Sequence, residues 1–417
     1  MTMSSAQNTQ QNLTPILIAS SVILIIGFGI RASYGVFQLP VSEEFGWPRA
    51  EFSLAIAVQN LAWGIGQPLF GMLAERFGDR KAIIAGVLVY AAGLALAAMA
   101  TTPTGQVLSS GVLVGLGVAG TGFGVILAIV GRAASEKNRS MALGIATAAG
   151  SAGQVLIPPI TEWLERSVGW SSTMLIFAVA VCAIFAVLPL LKAPPPPEVQ
   201  KAAAEETLGQ VLGRASKSPD FILLALGFFS CGYQLAFITA HFPAYVEEVC
   251  GPLTLGKLTM SPSALGAASL TLIGITNILG TLLAGKLGGI YRRKYLLSGV
   301  YTLRTIVAVA FIILPPTPTT VIIFSLSMGA LWLATVPLTS GLVGYLFGMR
   351  YMGTLYGFVF LSHQIGGFLG VYLGGELYDL YGSYDVVWWV GIAVGAFSAI
   401  CHLPIREERR GVAAQAA

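Results

Sequence analysis

Charged side chains are scarce in this sequence. Only 10% of the residues are Asp, Glu, Lys or Arg, whereas soluble domains contain roughly 25%. Hydrophobic residues make up 55% of the chain, and the mean hydropathy is +0.78. This shortage of charge excludes an ordinary soluble domain and predicts a protein that is integrated in a lipid bilayer.

Residues that bind metals or perform catalysis are also few. The chain has three histidines and four cysteines, and the cysteines form no CxxC or Cys/His spacing. No pair of carboxylates falls in the middle of an apolar run. We therefore expect no metal site, no cofactor and no enzymatic activity. The net charge of +4 does not indicate nucleic-acid binding, because the basic residues lie in short loops between apolar runs.

Twelve apolar runs are long enough to cross a membrane, which takes about 20 residues. They are too long for barrel strands, and lipid permits only helices or a closed barrel. The sequence thus predicts an all-α membrane protein with twelve transmembrane helices. The predicted spans are 14–40, 50–74, 81–101, 105–130, 140–164, 170–192, 220–247, 262–288, 294–314, 319–345, 353–377 and 385–404.

The basic residues are distributed unequally between the two sets of loops. One set, which includes both ends of the chain, holds 18 of the 23 Lys and Arg residues, and the other set holds three. Because Lys and Arg concentrate in cytoplasmic loops, we expect both termini to be cytoplasmic.

The chain divides into two similar halves. A proline run, 194–197, begins its longest polar stretch, which predicts domains at 1–192 and 220–417 joined by a linker at 193–219 that carries a short surface helix. Gly71 and Arg76 recur as Gly285 and Arg292 at offsets of about 214, and Gly144 recurs as Gly357 at an offset of 213. Two six-helix pseudo-repeats are typical of transporters in which the halves rock around a midplane site.

The loop after the second span carries a longer motif. It reads Gly71-Met72-Leu73-Ala74-Glu75-Arg76-Phe77-Gly78-Asp79-Arg80-Lys81. This motif resembles the G-x-L-x-D-R-x-G-R-R signature of the major facilitator superfamily, with Glu75 in place of the Asp. The resemblance covers essentially the whole chain and implies a conformational, or gating, role for Gly71, Glu75 and Arg76 and for their counterparts Gly285 and Arg292.

The eleventh span resembles one branch of that superfamily. Its residues Gly366-Gly367, Gly370 and Gly374-Gly375-Glu376-Leu377-Tyr378-Asp379 are similar to those of the monocarboxylate-transporter and oxalate/formate-antiporter branch. The resemblance implies a monomeric carrier of small organic anions in a bacterial inner membrane, working by proton coupling, by exchange for a counter-anion or by facilitated diffusion. It also implies that spans 1, 4, 7 and 10 line the cavity and that spans 2, 5, 8 and 11 flank it.

The chain departs from that branch where the branch places its charges. Thr281 stands at the position of the branch's span-eight Arg, and Asn277 at that of the accompanying Asp. His363 stands near the position of the antiporter's span-eleven Lys, and Gly111 at that of the superfamily's span-four Arg. The family's roles cannot be transferred to these positions.

The cation that remains near the expected cavity is Arg31, the only charged residue in the first forty-two. A charge inside a span costs at least ~2.5–3.5 kcal/mol, and nothing in its own span neutralises it. A guanidinium group binds a carboxylate through two parallel hydrogen bonds, so we predict that Arg31 binds an organic anion. The alternative is an arginine bonded to backbone carbonyls. For the second intramembrane cation, Arg304, we expect structural bonding.

Polar and aromatic residues on the predicted cavity helices complete the candidate site. They are Tyr34, Gln59, Asn60, Trp63, Gln154, Tyr233, Gln234, Asn277, Trp332, Tyr356, His363 and Gln364. Each of them could instead serve interhelical hydrogen bonding or packing. His363 and His241 are the candidate proton sites, because histidine titrates near neutral pH.

The sequence therefore predicts a secondary transporter that moves a small monocarboxylate or short dicarboxylate by rocker-switch alternating access. One alternative is an exporter of drugs or metabolites of the same fold, with no requirement for an anion. A membrane sensor without transport is a second alternative, which the short loops disfavour.

Overall fold

A computed structural model describes residues 13–192, 206–255 and 258–407 of the protein, and its principal elements are twelve long helices. Within these residues, eleven spans are long and apolar enough to cross a membrane. Numbered with the remaining helix as span 2, they are Leu13–Phe45, Arg49–Phe77, Asp79–Met99, Pro103–Ala133, Arg139–Val168, Trp170–Leu190, Pro219–Val249, Pro262–Leu287, Arg293–Ile313, Pro318–Phe347, Met352–Tyr381 and Asp385–His402. The predicted twelve-helix fold is confirmed.

Span 2, the one of the twelve helices that is not among those eleven, carries several polar side chains. Its side chains Gln59 and Gln67 are buried against neighbouring helices, and Gln59 donates a hydrogen bond of 2.8 Å to the carbonyl oxygen of Ser110 in span 4. A span whose polar side chains face protein rather than lipid places them where protein groups can bond to them.

Short elements lie outside the spans. A helix, Leu208–Ser216, precedes span 7 and begins with a capping box formed by Thr207 and Gln210. Strands β1 (Leu253–Leu255) and β2 (Leu258–Met260) form an antiparallel hairpin between spans 7 and 8. Residues 193–205 of the predicted linker are outside the described residues.

The two halves meet along two pairs of helices, span 2 with span 11 and span 5 with span 8. We call the face where span 1 begins and span 12 ends the terminus side. On this side, a Cβ at Gly144 would lie 2.9 Å from the Cα of Gly285, and a Cβ at Gly71 would lie 2.5 Å from the carbonyl carbon of Gly353. Only glycine permits backbones to approach this closely. Gly71 and Gly285 occupy repeat-related positions, and so do Gly144 and Gly357, where a Cβ would lie 2.6 Å from the Cα of Pro68 in span 2.

A hydrogen-bonded carboxylate closes the same face. Glu75 of span 2 accepts hydrogen bonds from both the backbone amide of Thr354 (2.9 Å) and its hydroxyl, in span 11. Nearby, Arg132 and Asp79 form a 2.5 Å ion pair within the first half. The halves are therefore in contact at the terminus side.

Several spans are interrupted near their middle. Span 1 breaks at Ser33 between the helices Leu13–Ala32 and Tyr34–Phe45. Span 4 breaks at Gly122, and span 10 breaks between the helices Pro318–Leu331 and Thr335–Phe347. Broken helices expose unpaired backbone groups, which membrane proteins tolerate only where protein or a cavity satisfies them.

Arg304 of span 9 satisfies the break in span 10. Its guanidinium donates to the carbonyl oxygens of Leu331 (2.7 and 3.1 Å) and Trp332, and Nη1 lies 3.4 Å from the Sγ of Cys231. Its side chain is fully buried. A cation at the C-terminal end of a helix is also favoured by the helix dipole. Arg304 thus has the structural bonding that we expected.

We predict that Arg304→Ala lowers the free energy of unfolding by about 3 kcal/mol, because two buried carbonyl groups lose their charged donor. Thermal denaturation of the purified protein measures this change. Arg292→Ala, which removes an exposed arginine, is the matched control and leaves the melting temperature nearly unchanged. Equal melting temperatures for the two variants would contradict this role of Arg304.

Candidate functional site

Arg31 lies in the last turn of the helix Leu13–Ala32, immediately before the break in span 1. The break is stabilised by Ser33, whose hydroxyl donates to the carbonyl oxygen of Gly29 at 2.9 Å. The dipole of the preceding helix favours a cation at this end. Local structure therefore explains how a charge is tolerated here, but it provides no counter-charge.

The immediate neighbours of Arg31 come from span 2. Its Nη2 donates to the Oδ1 of Asn60, and its guanidinium carbon lies 5.2 Å from the centre of the Trp63 ring. Trp63 is itself oriented by a 2.9 Å hydrogen bond from its indole nitrogen to Gln67. The structure thus brings together Arg31, Asn60 and Trp63.

The positive charge of Arg31 has no carboxylate partner among the described residues. Its buried Nε has no hydrogen-bond partner there either. A neutral amide and an indole face leave a full charge uncompensated, which is costly inside a membrane. The guanidinium of Arg31 therefore has the charge and the hydrogen-bond donor to bind an anion.

Span 11 reaches this group from the other half. The Nε2 of Gln364 donates a 3.0 Å hydrogen bond to the backbone oxygen of Asn60, and the Oε1 of Gln364 lies 3.0 Å from the Nδ1 of His363. Because the amide nitrogen is already the donor to Asn60, Oε1 is the acceptor and Nδ1 carries a proton. A hydrogen-bonded chain therefore runs from Arg31 through Asn60 and Gln364 to His363.

Aromatic rings surround this chain. Trp63 packs against Phe28 at 5.2 Å and against Phe360 at 4.7 Å between ring centres. His363 stacks on Phe360 at 5.2 Å with nearly parallel planes. Aromatic rings therefore border this chain at both Trp63 and His363.

Two further predicted residues are engaged in hydrogen bonds between helices. Gln59 is bonded to span 4, as described above. Asn277 of span 8 donates to the Oγ of Ser151 in span 5 and accepts from the backbone amide of Leu333 at the break in span 10, both at 2.9 Å. Thr281 donates to the backbone oxygen of Asn277. Gln59 and Asn277 therefore join helices, whereas the Thr281 bond lies within span 8.

The other predicted residues are spread through the bundle. Gln234 donates to the carbonyl oxygen of Gly391 in span 12, so it faces away from Arg31, and Tyr233 is buried against spans 11 and 12. Trp332 lies at the break in span 10. The remaining three are Tyr34, buried beside Ser110; Gln154, half-buried on span 5; and Tyr356, buried near Phe228 and Phe360.

The second candidate proton site and two of the gating residues lie apart from Arg31. His241 lies between the carbonyl oxygen of Val371 (3.0 Å) and the hydroxyl of Tyr384 (3.5 Å), towards the opposite side. Arg76 and Arg292 are exposed on the terminus side, whereas Gly71, Glu75 and Gly285 lie where the halves touch.

Sequence reasoning overlooked three residues that the structure makes important. Ser151 is the partner of Asn277, and the 213-residue offset that relates it to Gln364 could have revealed it. Gly64 lets Gln364 approach span 2, since a Cβ there would lie 2.7 Å from the Cβ of Gln364. Cys231, which resembled an apolar filler, contacts Arg304 and Thr335. No sequence signal indicated that pairing.

Comparison with known proteins shows the family of this chain. The model of the Major Facilitator Superfamily matches residues 19–370 and 251–416. The chain is 26% identical over 397 residues to the uncharacterized MFS-type transporter YcxA of Bacillus subtilis (strain 168), covering 93% of this chain and 94% of that one. It is 28% identical over 375 residues to monocarboxylate transporter 13 of Bos taurus, covering 89% and 83%.

The fold has a similar solved structure. The E. coli fucose:proton symporter FucP superposes with a TM-score of 0.72 over 93% of this chain and 98% of that one, at 15% identity. At this identity the likeness shows the fold alone. Because the family model spans most of the sequence, this chain is an integral membrane transporter, not an enzyme, and belongs to the major facilitator superfamily.

Proposed function

We propose that this transporter moves a small organic anion, a monocarboxylate or short dicarboxylate, and that Arg31 binds the carboxylate. The observation that carries the proposal is the uncompensated charge of Arg31: no described carboxylate pairs with it, and its Nε lacks an acceptor. The similarity to proteins named monocarboxylate transporters supports the same substrate class.

In this proposal, the carboxylate takes Nε and one terminal nitrogen of the guanidinium as a two-bonded pair. Asn60, His363 and Gln364 supply further polar contacts, and Trp63 and Phe360 provide apolar walls for the rest of the substrate. Tyr34 lies three residues beyond Arg31 and borders the same region. The other predicted site residues support the helices.

Transport proceeds by rocker-switch alternating access between domains 1–192 and 220–417, which the linker 193–219 joins. We assign the terminus side to the cytoplasm of a bacterial inner membrane because the basic residues concentrate there. The protein acts as a monomer, since each chain contains both halves of the site.

We predict that Arg31→Ala lowers uptake of labelled carboxylates into proteoliposomes by about tenfold to a hundredfold, because the substrate loses a charge-assisted pair. Arg31→Lys retains part of the uptake, since a point charge replaces the fork. Arg166→Ala, which removes an exposed arginine paired with Glu162, is the control and transports normally. Normal uptake by Arg31→Ala would refute the carboxylate site.

A thermal-shift screen distinguishes the proposed anion transporter from the alternative, an exporter that does not require an anion. Small carboxylates and lipophilic cations are added in turn to the purified protein. Our proposal predicts that carboxylates raise the melting temperature and that lipophilic cations do not. Stabilisation by the cations alone would favour the exporter.

For coupling, we propose that His363 rather than His241 carries the proton. His363 is joined to the Arg31 group through Gln364, whereas His241 is bonded to Val371 and Tyr384. A histidine beside the substrate can link proton binding to anion binding, because the imidazole can accept a proton.

We predict that an inward proton gradient stimulates uptake by the wild type and by His241→Asn, and that His363→Asn loses this stimulation while still exchanging substrate. Uptake measured with and without an imposed pH gradient tests this. Stimulation that persists in His363→Asn would contradict the assignment. If uptake by the wild type is stimulated only by a counter-anion inside the vesicles, the transporter works by exchange and the proton-coupling proposal is wrong.

A further inference from the structure

The two halves are joined by two amide hydrogen bonds near the middle of the membrane. Gln364 of span 11 donates to the backbone oxygen of Asn60 in span 2 at 3.0 Å. Asn277 of span 8 donates to the hydroxyl of Ser151 in span 5 at 2.9 Å. Both amides are almost completely buried, and both of their ends are hydrogen-bonded.

The two bonds are related by the internal repeat. Gln364 and Ser151 are separated by 213 residues, the same offset that relates Gly357 to Gly144. The counterpart of Asn277 in span 2, at an offset of 214, is residue 63, one turn from Asn60. The same two pairs of helices therefore carry one bond each at nearly the same height.

Each of the two bonds lies farther from the terminus side than the glycine contact on the same pair of helices. Ser151 is seven residues from Gly144, which is about 10 Å along a helix, and Asn277 is eight residues from Gly285. The glycine contacts and the Glu75–Thr354 bonds lie on the terminus side, and the amides lie nearer the middle of their helices. Two levels of contact between the halves are thus present, and they differ in chemistry.

We propose that the two amide bonds, Gln364–Asn60 and Asn277–Ser151, are the pivots on which the halves rock. Rocking around the centre of the membrane separates the glycine contacts but moves the midplane least. Hydrogen bonds there survive the motion, and their loss would leave buried amides without partners. This inference rests on the rocking motion of the proposed function and is independent of the anion.

Asn277 also connects one pivot to span 10. Its Oδ1 accepts from the amide of Leu333, where span 10 is broken, while its Nδ2 holds span 5. Arg304 secures the carbonyl groups on the other side of the same break. The pivot is therefore anchored to the broken helix of span 10, and the shape of that helix is tied to the joint between the halves.

A cross-linking experiment distinguishes a pivot from a gate. The protein carries Ser151→Cys with Asn277→Cys at the pivot, or Glu75→Cys with Thr354→Cys at the terminus side. In both backgrounds Cys231→Ser keeps a hydrogen-bonding group beside Arg304, and the other native cysteines are alanine. A short bis-methanethiosulfonate reagent measures each yield with and without Gly285→Val, which wedges spans 5 and 8 apart at the terminus side.

We expect Gly285→Val to lower the yield at the terminus side by about fivefold or more, while the pivot yield changes by less than about twofold. Gly299→Val is the matched control, because nothing lies within 4 Å of a Cβ at that position. Cysteines at Ser298 and Ala399, bonded within one half, report access of the reagent. Gly71→Val, at the other pair of helices, replaces the wedge if Gly285→Val does not fold.

Two results would overturn the proposal. If the pivot yield falls together with the terminus-side yield, the amides separate and act as a gate. If neither yield changes with either wedge, the halves do not rock and there is no pivot. Failure of the anion proposal, tested with Arg31→Ala, leaves the expected yields unchanged, because cross-linking needs no substrate.

Discussion

The absence of water inside a bilayer governs this structure, because every polar group there must find a partner in the protein. Interrupted spans raise that demand, and the intramembrane residues Arg31 and Arg304 differ in how they are bonded. Arg304 is fully bonded to the carbonyl groups at the break in span 10 and to Cys231. Arg31, by contrast, donates to the amide oxygen of Asn60 and lies over the ring of Trp63. The guanidinium of Arg304 therefore supports a helix break, whereas that of Arg31 keeps an Nε without a partner among the described residues.

The internal repeat explains why the architecture is regular and the site is not. Glycines at repeat-related positions bring span 2 to span 11 and span 5 to span 8, and amide bonds join the same pairs at the midplane. Arg31, by contrast, has no counterpart in the second half. The repeat thus supplies the contacts between the halves, while the departure from the repeat supplies a single charge next to those contacts.

The sequence predicted the fold almost completely, because long apolar runs and their loop charges depend on lipid and not on tertiary detail. It also placed Arg31, Asn60, Trp63, His363 and Gln364 in one set, and the structure brings these together. It could not tell which polar residues were already occupied. Gln234 and Asn277 resemble Asn60 in sequence, yet they bond to Gly391 and to Ser151 and Leu333. Only the rotation and height of each helix decide which partner is within reach, and periodicity does not fix these to one residue.

The central claim is that the charge of Arg31 requires an anion, and a matched pair of ligands tests it most directly. Binding of a small carboxylate to the purified wild-type protein is measured by calorimetry beside its primary amide, which has nearly the same shape and no charge. The account predicts that the wild type binds the carboxylate at least about tenfold more tightly and that Arg31→Ala abolishes this preference. Equal affinity for acid and amide in the wild type, or an unchanged preference in Arg31→Ala, would contradict it.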